Sequence, residues 1–167
     1  IKLIPSQNEQ CASIAADAYS RCSSKIGVSI TTSGPGTLNA FQGIACSYYD
    51  SVPSIFLSGT PIKKFLMKKK SKLRQLGFQE MDMENITKKF TKYQTRITNP
   101  NNTKFELDKA ISIAKSGRPG PCLIEIPDDV QRSPYIESAQ KIYNEKRNKF
   151  RLSTNKISSF ERLVRNS

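Results

Sequence analysis

Short apolar runs alternate with glycine- and proline-bearing turns and with helical stretches along most of the chain. That alternation constrains the fold more than any other feature. IGVSITT (26–32) is β-branched and reads as a strand. SGPG (33–36) comes next as a turn, and Pro35 suits a first helical position, where its missing N–H costs nothing. Leu38, Phe41, Ala45 and Tyr48 recur at i, i+3, i+7 and i+10 and continue a helix. SIFLSG (54–59), KYQTRI (92–97) and CLIEIP (122–127) read as further strands. Helices are predicted near 82–90 and up to Gly117, the latter marked by Phe105, Ala110, Ile111 and Ala114. Upstream, IKLI (1–4) reads as the end of a strand. Residues 6–22 read as a helix whose apolar stripe is Cys11, Ala12, Ala15, Ala16, Ala18, Tyr19 and Cys22. The pattern predicts an α/β fold: a doubly wound, mostly parallel sheet with helices on both faces and right-handed crossovers.

After about residue 134 the pattern changes. YNEKRNKFRLSTNK is polar and charged and reads as a linker, and ISSFERLVRNS as the start of a further domain. The expected division is therefore 1–134 for the α/β domain and 135–167 for the linker and the start of that further domain. IKLIPSQNEQ has neither an initiating Met nor a signal-peptide pattern, and resembles the middle of a domain.

Composition removes several classes of function. The 167 residues contain no histidine, which excludes His-based triads, bases and metal ligands. Cys11, Cys22, Cys46 and Cys122 form no CxxC pair, so they read as buried thiols in a reducing compartment, the cytoplasm, and no metal site is expected. No run of about 18 apolar residues exists, so no membrane span is expected. The net charge of +13 raises nucleic acid or an anionic membrane surface as partners. The sharpest basic cluster, KKFLMKKKSKLR (63–74), reads better as a solvated loop than as a membrane-lying segment. No aromatic–basic alternation of an RNA-binding type occurs, which argues against nucleic acid.

Two short stretches carry candidate chemistry. Ser6-x-x-Glu9 fits a capping box, with Ser6 as N-cap, and a first-turn carboxylate suits the helix dipole. The same position would put Glu9 at the carboxyl edge of a parallel sheet, where α/β folds bind ligands. On the residues alone, Glu9 is either a cap or a working carboxylate. SGPG is a poor match to G-x-G-x-x-G, because Asn39 stands where the third glycine would be, and no phosphate-binding P-loop occurs. Pro35 and Asn39 share a helix face and could border a ligand.

NEQCASIAADAYSR, GVSITTSGPGTLNAFQGIACSYYDSVPSIFLSG, GFQEMD and SGRPGPCLIEIPDDVQ stand in the order and spacing of one domain type. Over residues 1–132 the chain resembles the pyrimidine-binding, N-terminal domain of thiamine-diphosphate enzymes, on the acetolactate synthase-like branch. The resemblance implies a Rossmann-like fold, here without its first strand and helix. It implies that Glu9 hydrogen-bonds the aminopyrimidine ring and activates the cofactor. It further implies that Pro35, Gly36 and Asn39 border the ring, with Gly34 and Gly36 allowing close backbone approach, and that Phe78 and Gln79 face the substrate. The chemistry implied is decarboxylation or carboligation of a 2-oxo acid. Magnesium and the diphosphate would be held by another domain, of the same or another subunit, in a homodimer or tetramer. On that view the chain is a fragment and silent alone. Many relatives have histidine where Asn8 stands. The sequence leaves open whether flavin binds. Two rivals remain: the pyrimidine-domain subunit of a split 2-oxo acid decarboxylase, and a non-catalytic basic module for nucleic acid or membrane.

Overall fold

Parallel strands buried on both faces need near-continuous apolar runs, and two segments of this chain supply them. A computed structural model describes residues 2–66, 72–144, Arg162 and Arg165. In chain order the elements are α1 (Glu9–Cys22), β1 (Gly27–Thr31), α2 (Pro35–Asn39), α3 (Phe41–Tyr49), β2 (Ser54–Thr60), α4 (Met83–Thr87), β3 (Tyr93–Arg96), α5 (Thr103–Lys115), β4 (Cys122–Pro127) and α6 (Asp128–Gln131). The four strands form one all-parallel sheet of order β1-β2-β4-β3. β2 and β4, the apolar runs, occupy the centre. The expected doubly wound α/β architecture is therefore present.

The two faces carry separate cores. Ile44, Phe56, Met83 and Leu123 pack with Met81 and Phe90 on one face. Ile55, Cys122 and Ile124 pack with Ile97, Ala110, Ala114 and Val130 on the other, under α5 and α6. Each such large side chain contributes about 1.5–3 kcal/mol on full burial. β1 is an edge strand, and its outward residues Val28 and Ile30 are 52% and 63% exposed.

Several local expectations are corrected. Of the four cysteines expected to be buried, only Cys122, in the central strand β4, is; Cys11, Cys22 and Cys46 lie on the outer faces of α1 and α3 and are exposed. Residues 2–4 form no strand; Leu3 and Ile4 are exposed and pair with no described strand. The first helix begins at Glu9, not near Ser6. Its N-cap is Asn8, whose side chain accepts the Cys11 N–H at 2.8 Å. The predicted capping box does not form, because Asn8 is an equally good cap placed two residues closer to the helix.

The predicted apolar stripe of α1 is largely its outer face. The buried residues are Ser13, Ala16, Asp17 and Ser20. Partners distant in sequence satisfy two of the polar ones. Ser20 Oγ donates to the Pro53 carbonyl at 2.8 Å and accepts the Gly27 N–H at 2.7 Å. Asp17 accepts from Ser47 Oγ at 2.7 Å, and from Arg21 Nε one turn away at 2.6 Å. Small, paired polar side chains bring the helix close to the sheet without the cost of orphaned groups.

The helix expected after SGPG is two, α2 and α3, meeting at Ala40, and its buried residues are Gly36, Thr37, Ala40, Gly43, Ile44 and Ser47. The helix near 82–90 is one short turn, α4. Of the linker and further domain expected over 135–167, most lies outside the described residues, as does the centre of the basic segment 63–74. Residues 137–143 lie against α5: Gln140 is buried, and Tyr143 meets the Phe105 ring edge-on. No described helix is long and apolar enough to cross a membrane.

Candidate functional site at the carboxyl edge of the sheet

α1 runs back along β1, so its N-terminus lies near the carboxyl end of that strand. α2 starts from the same end, immediately after the turn that leaves β1. Two helix starts thus converge where parallel sheets bind ligands. The sequence explains the second start. Gly34 is the N-cap of α2, with φ of 54°, and Pro35 occupies the first turn. A Cβ at Gly34 would lie 1.9 Å from the Gln79 carbonyl oxygen. Only glycine fits both the left-handed backbone and that close approach.

The two starts bring Glu9, Gly36 and Asn39 together. Glu9 is the first residue of α1 and is half-buried. Its Oε2 accepts Asn39 Nδ2 at 3.2 Å. Its Oε1 faces Gly36, where an added Cβ would stand 3.2 Å away, and 2.5 Å from Thr32 Cγ2. Next to them, Gln10 Nε2 donates to Gln42 Oε1, tying α1 to α3. Pro35 is exposed on the same helix start. The result is a fixed carboxylate, one oxygen oriented by an amide, above a glycine floor.

Phe78 and Gln79 stand elsewhere. Phe78, 80% exposed, lines a crevice of about 550 Å³ across the ends of β1, β2 and β4, with Thr31, Thr32, Ser58, Thr60 and Gln131. Glu9 and Asn39 do not line it. The two groups are joined through backbone: the Gln79 carbonyl seats on Gly34, and Thr32 serves both crevice and glycine floor. Gln79 has φ of 56°, a left-handed conformation that costs a non-glycine residue about 1–2 kcal/mol.

Thr32 and Glu80 are not among the residues singled out from the sequence. Thr32 carries no signal of its own. Glu80 does: it is an acidic residue three positions after Gly77 in a tight turn. It is 8% exposed, and its side chain accepts backbone N–H groups of that turn. A further buried acid, Glu125, pairs with Arg96 at 2.9 Å, yet burial holds its carboxyl above the usual range. Among the described residues, no group of three or more His, Cys, Asp or Glu could hold a metal ion.

The donor set suits the aminopyrimidine part of thiamine diphosphate. A carboxylate can share a proton with a ring nitrogen, and the bare Cα of Gly36 leaves room for a flat ring against it. Comparison with known proteins gives the family. Residues 1–86 match the family model "Thiamine pyrophosphate enzyme, N-terminal TPP binding domain". The acetolactate synthase large subunit of Porphyra purpurea is 41% identical over 130 residues, 78% of this chain and 21% of that protein. The acetolactate synthase large subunit of Buchnera aphidicola subsp. Acyrthosiphon pisum is 38% identical over 124 residues, 74% of this chain and 20% of that protein. The acetolactate synthase of Arthrospira platensis is 40% identical over the same length, with the same shares. The chain thus spans about a fifth of the length of the curated relatives it matches. With the parallel sheet, the paired Glu9 and the family match over half its length, this chain belongs to the thiamine pyrophosphate enzymes and carries their N-terminal cofactor-binding domain.

Proposed function

We propose that the chain supplies the pyrimidine side of a thiamine-diphosphate site in an enzyme that decarboxylates and ligates 2-oxo acids, as an acetolactate synthase does. The observation that carries this is the Glu9 carboxylate, held through Oε2 by Asn39 and open at Oε1 over Gly36. When bound, the cofactor supplies an electron sink for the carbanion left by decarboxylation. The chain's own residues do the rest. Glu9 Oε1 would hold a proton for a ring nitrogen seated over Gly36. Asn39 fixes the direction in which that carboxylate points. Gly36 leaves the ring its place, and Pro35 gives the same edge a rigid backbone. Phe78 and Gln79 border the substrate, the phenyl ring excluding water from the reacting end.

Magnesium and the diphosphate are assigned to a separate domain of the same or another subunit, in a homodimer or tetramer. The four free cysteines accord with a reducing compartment such as the cytoplasm. Flavin forms no part of the proposal. The test is carbon dioxide release from pyruvate. The assembled enzyme should require both thiamine diphosphate and magnesium, and this chain alone should be silent. Turnover by the chain alone, or turnover of the enzyme without the cofactor, contradicts the proposal.

A further inference from the structure

Phe78 and Gln79 are the central pair of a four-residue turn that Glu80 closes twice. The Glu80 N–H donates to the Gly77 carbonyl at 3.2 Å. Its Oε2 accepts the N–H groups of Leu76 and Gly77 at 3.2 and 3.3 Å. The contrast in exposure is large: Glu80 is 8% exposed, and Phe78, two residues away, is 80% exposed. Hydrogen bonds to an ionised acceptor are about twice as strong as neutral ones, so this carboxylate can hold a turn whose tip is solvated. The turn needs holding. Gln79 at φ of 56° occupies a region that a free glutamine rarely visits. On its inner side the turn is seated tightly: an added Cβ at Gly77 would come 2.7 Å from Pro61 Cβ, and the Gln79 carbonyl faces Gly34. Gly34 opens the helix that carries Gly36 and Asn39. One turn therefore touches both the crevice and the start of α2.

We propose that Glu80 is a positioning residue whose carboxylate locks the 77–80 turn, presenting Phe78 to the crevice and keeping the Gln79 backbone seated on Gly34. That the crevice takes the 2-oxo acid rests on the function proposed above; the locking itself does not. The experiment therefore has two arms.

The chain contains no tryptophan, so Phe78→Trp places a single fluorescent reporter on the turn. Glu80→Leu removes the acceptor at similar size. Glu80→Gln keeps an oxygen that can accept both N–H groups. In Glu80→Leu, hydrogen exchange at the Leu76 and Gly77 amides should rise at least about tenfold, and the anisotropy of the indole at position 78 should fall. Glu80→Gln should restore most of both. If Glu80→Leu does not fold, Glu80→Gln carries the test, with exchange at those two amides about threefold faster than wild type. Unchanged exchange and anisotropy overturn the proposal.

The second arm uses the assembled enzyme with Phe78 intact. Glu80→Leu should raise KM for the 2-oxo acid about tenfold and leave thiamine diphosphate affinity within about twofold. Faster exchange with KM unmoved overturns the positioning role. A wild-type enzyme that needs no thiamine diphosphate refutes the proposed function instead, and leaves the first arm intact.

Discussion

Adding one methyl group at Gly36 separates the fold from the site. The backbone there is not left-handed, so alanine is sterically allowed by the main chain. Gly→Ala at such a position stabilises by about 0.4–1 kcal/mol through the unfolded chain. Against this, the new Cβ would lie 2.5 Å from Thr32 Cγ2, a distance that forces movement. Overpacking of this kind costs about 1–3 kcal/mol. The net expectation for Gly36→Ala is a loss of about 1–2 kcal/mol, a fall of roughly 2–8 °C in Tm for a domain of this size. The clash partner is one methyl group, so Thr32→Ser removes it and keeps the hydroxyl. The double variant Gly36→Ala/Thr32→Ser should regain most of the lost Tm by circular dichroism. The second contact is not relieved: the Cβ still stands 3.2 Å from Glu9 Oε1, in the space assigned to the ring. In the assembled enzyme the double variant should therefore bind thiamine diphosphate at least about tenfold more weakly, a loss of about 1.4 kcal/mol by calorimetric titration. Wild-type affinity in the double variant would refute the reasoning. So would a Tm that Thr32→Ser fails to recover.

The same geometry gives further outcomes. Asn8→Ala should cost about 0.5–2 kcal/mol in thermal unfolding, because Asn8 caps α1; Ser6→Ala should stay within about 0.5 kcal/mol. Burial raises the Glu125 carboxyl above its ordinary range, despite Arg96. The folded chain then binds more protons than the unfolded one there, so this contribution to stability is full below about pH 4.3 and is lost as pH rises through the elevated value. Relative to Glu125→Gln, wild type should therefore lose stability across that window; a gain with rising pH would contradict the assignment. Burial pushes the Cys122 thiol up to about 12, while Cys11, Cys22 and Cys46 are exposed. A thiol reagent at neutral pH should label three cysteines rapidly and the fourth only on unfolding.

The alternation of strand, turn and helix was legible because β2 and β4 are apolar runs and SGPG punctuates the chain at a real helix start. The inner face of α1 was not. Its buried layer is built from Ser13, Asp17 and Ser20, which look like surface residues until the fold brings Ser47, Pro53 and Gly27 to Asp17 and Ser20. Periodicity therefore selected a stripe of which only Ala16 is buried. At the site, Ser6-x-x-Glu9 pointed to a cap, but Asn8 takes that role and leaves Glu9 to contact Asn39 and Gly36. Pairing of Glu9 with a residue 30 positions away depends on two helix starts meeting, which local spacing does not reveal. The family resemblance implied only that both residues border one ring; their direct pairing is seen in the structure. Glu80 has only a weak signal, an acid three positions after Gly77, because its partners in the turn are backbone N–H groups, which leave no residue-type pattern.

The central claim is that Glu9 is a working carboxylate rather than a helix-stabilising charge. Glu9→Gln keeps the side chain's size and an oxygen that can still accept from Asn39. As a first-turn charge, Glu9 is worth only about 0.3–1 kcal/mol. As a proton-sharing group it is worth about 10²–10⁴-fold in rate. The measurement is exchange of the thiamine diphosphate C2 proton, followed by NMR in the assembled enzyme, beside the melting temperature of the same variant. The account predicts that exchange slows by about 10²-fold or more while Tm shifts by no more than about 2–4 °C. Exchange near the wild-type rate, with the loss appearing in Tm instead, would contradict it.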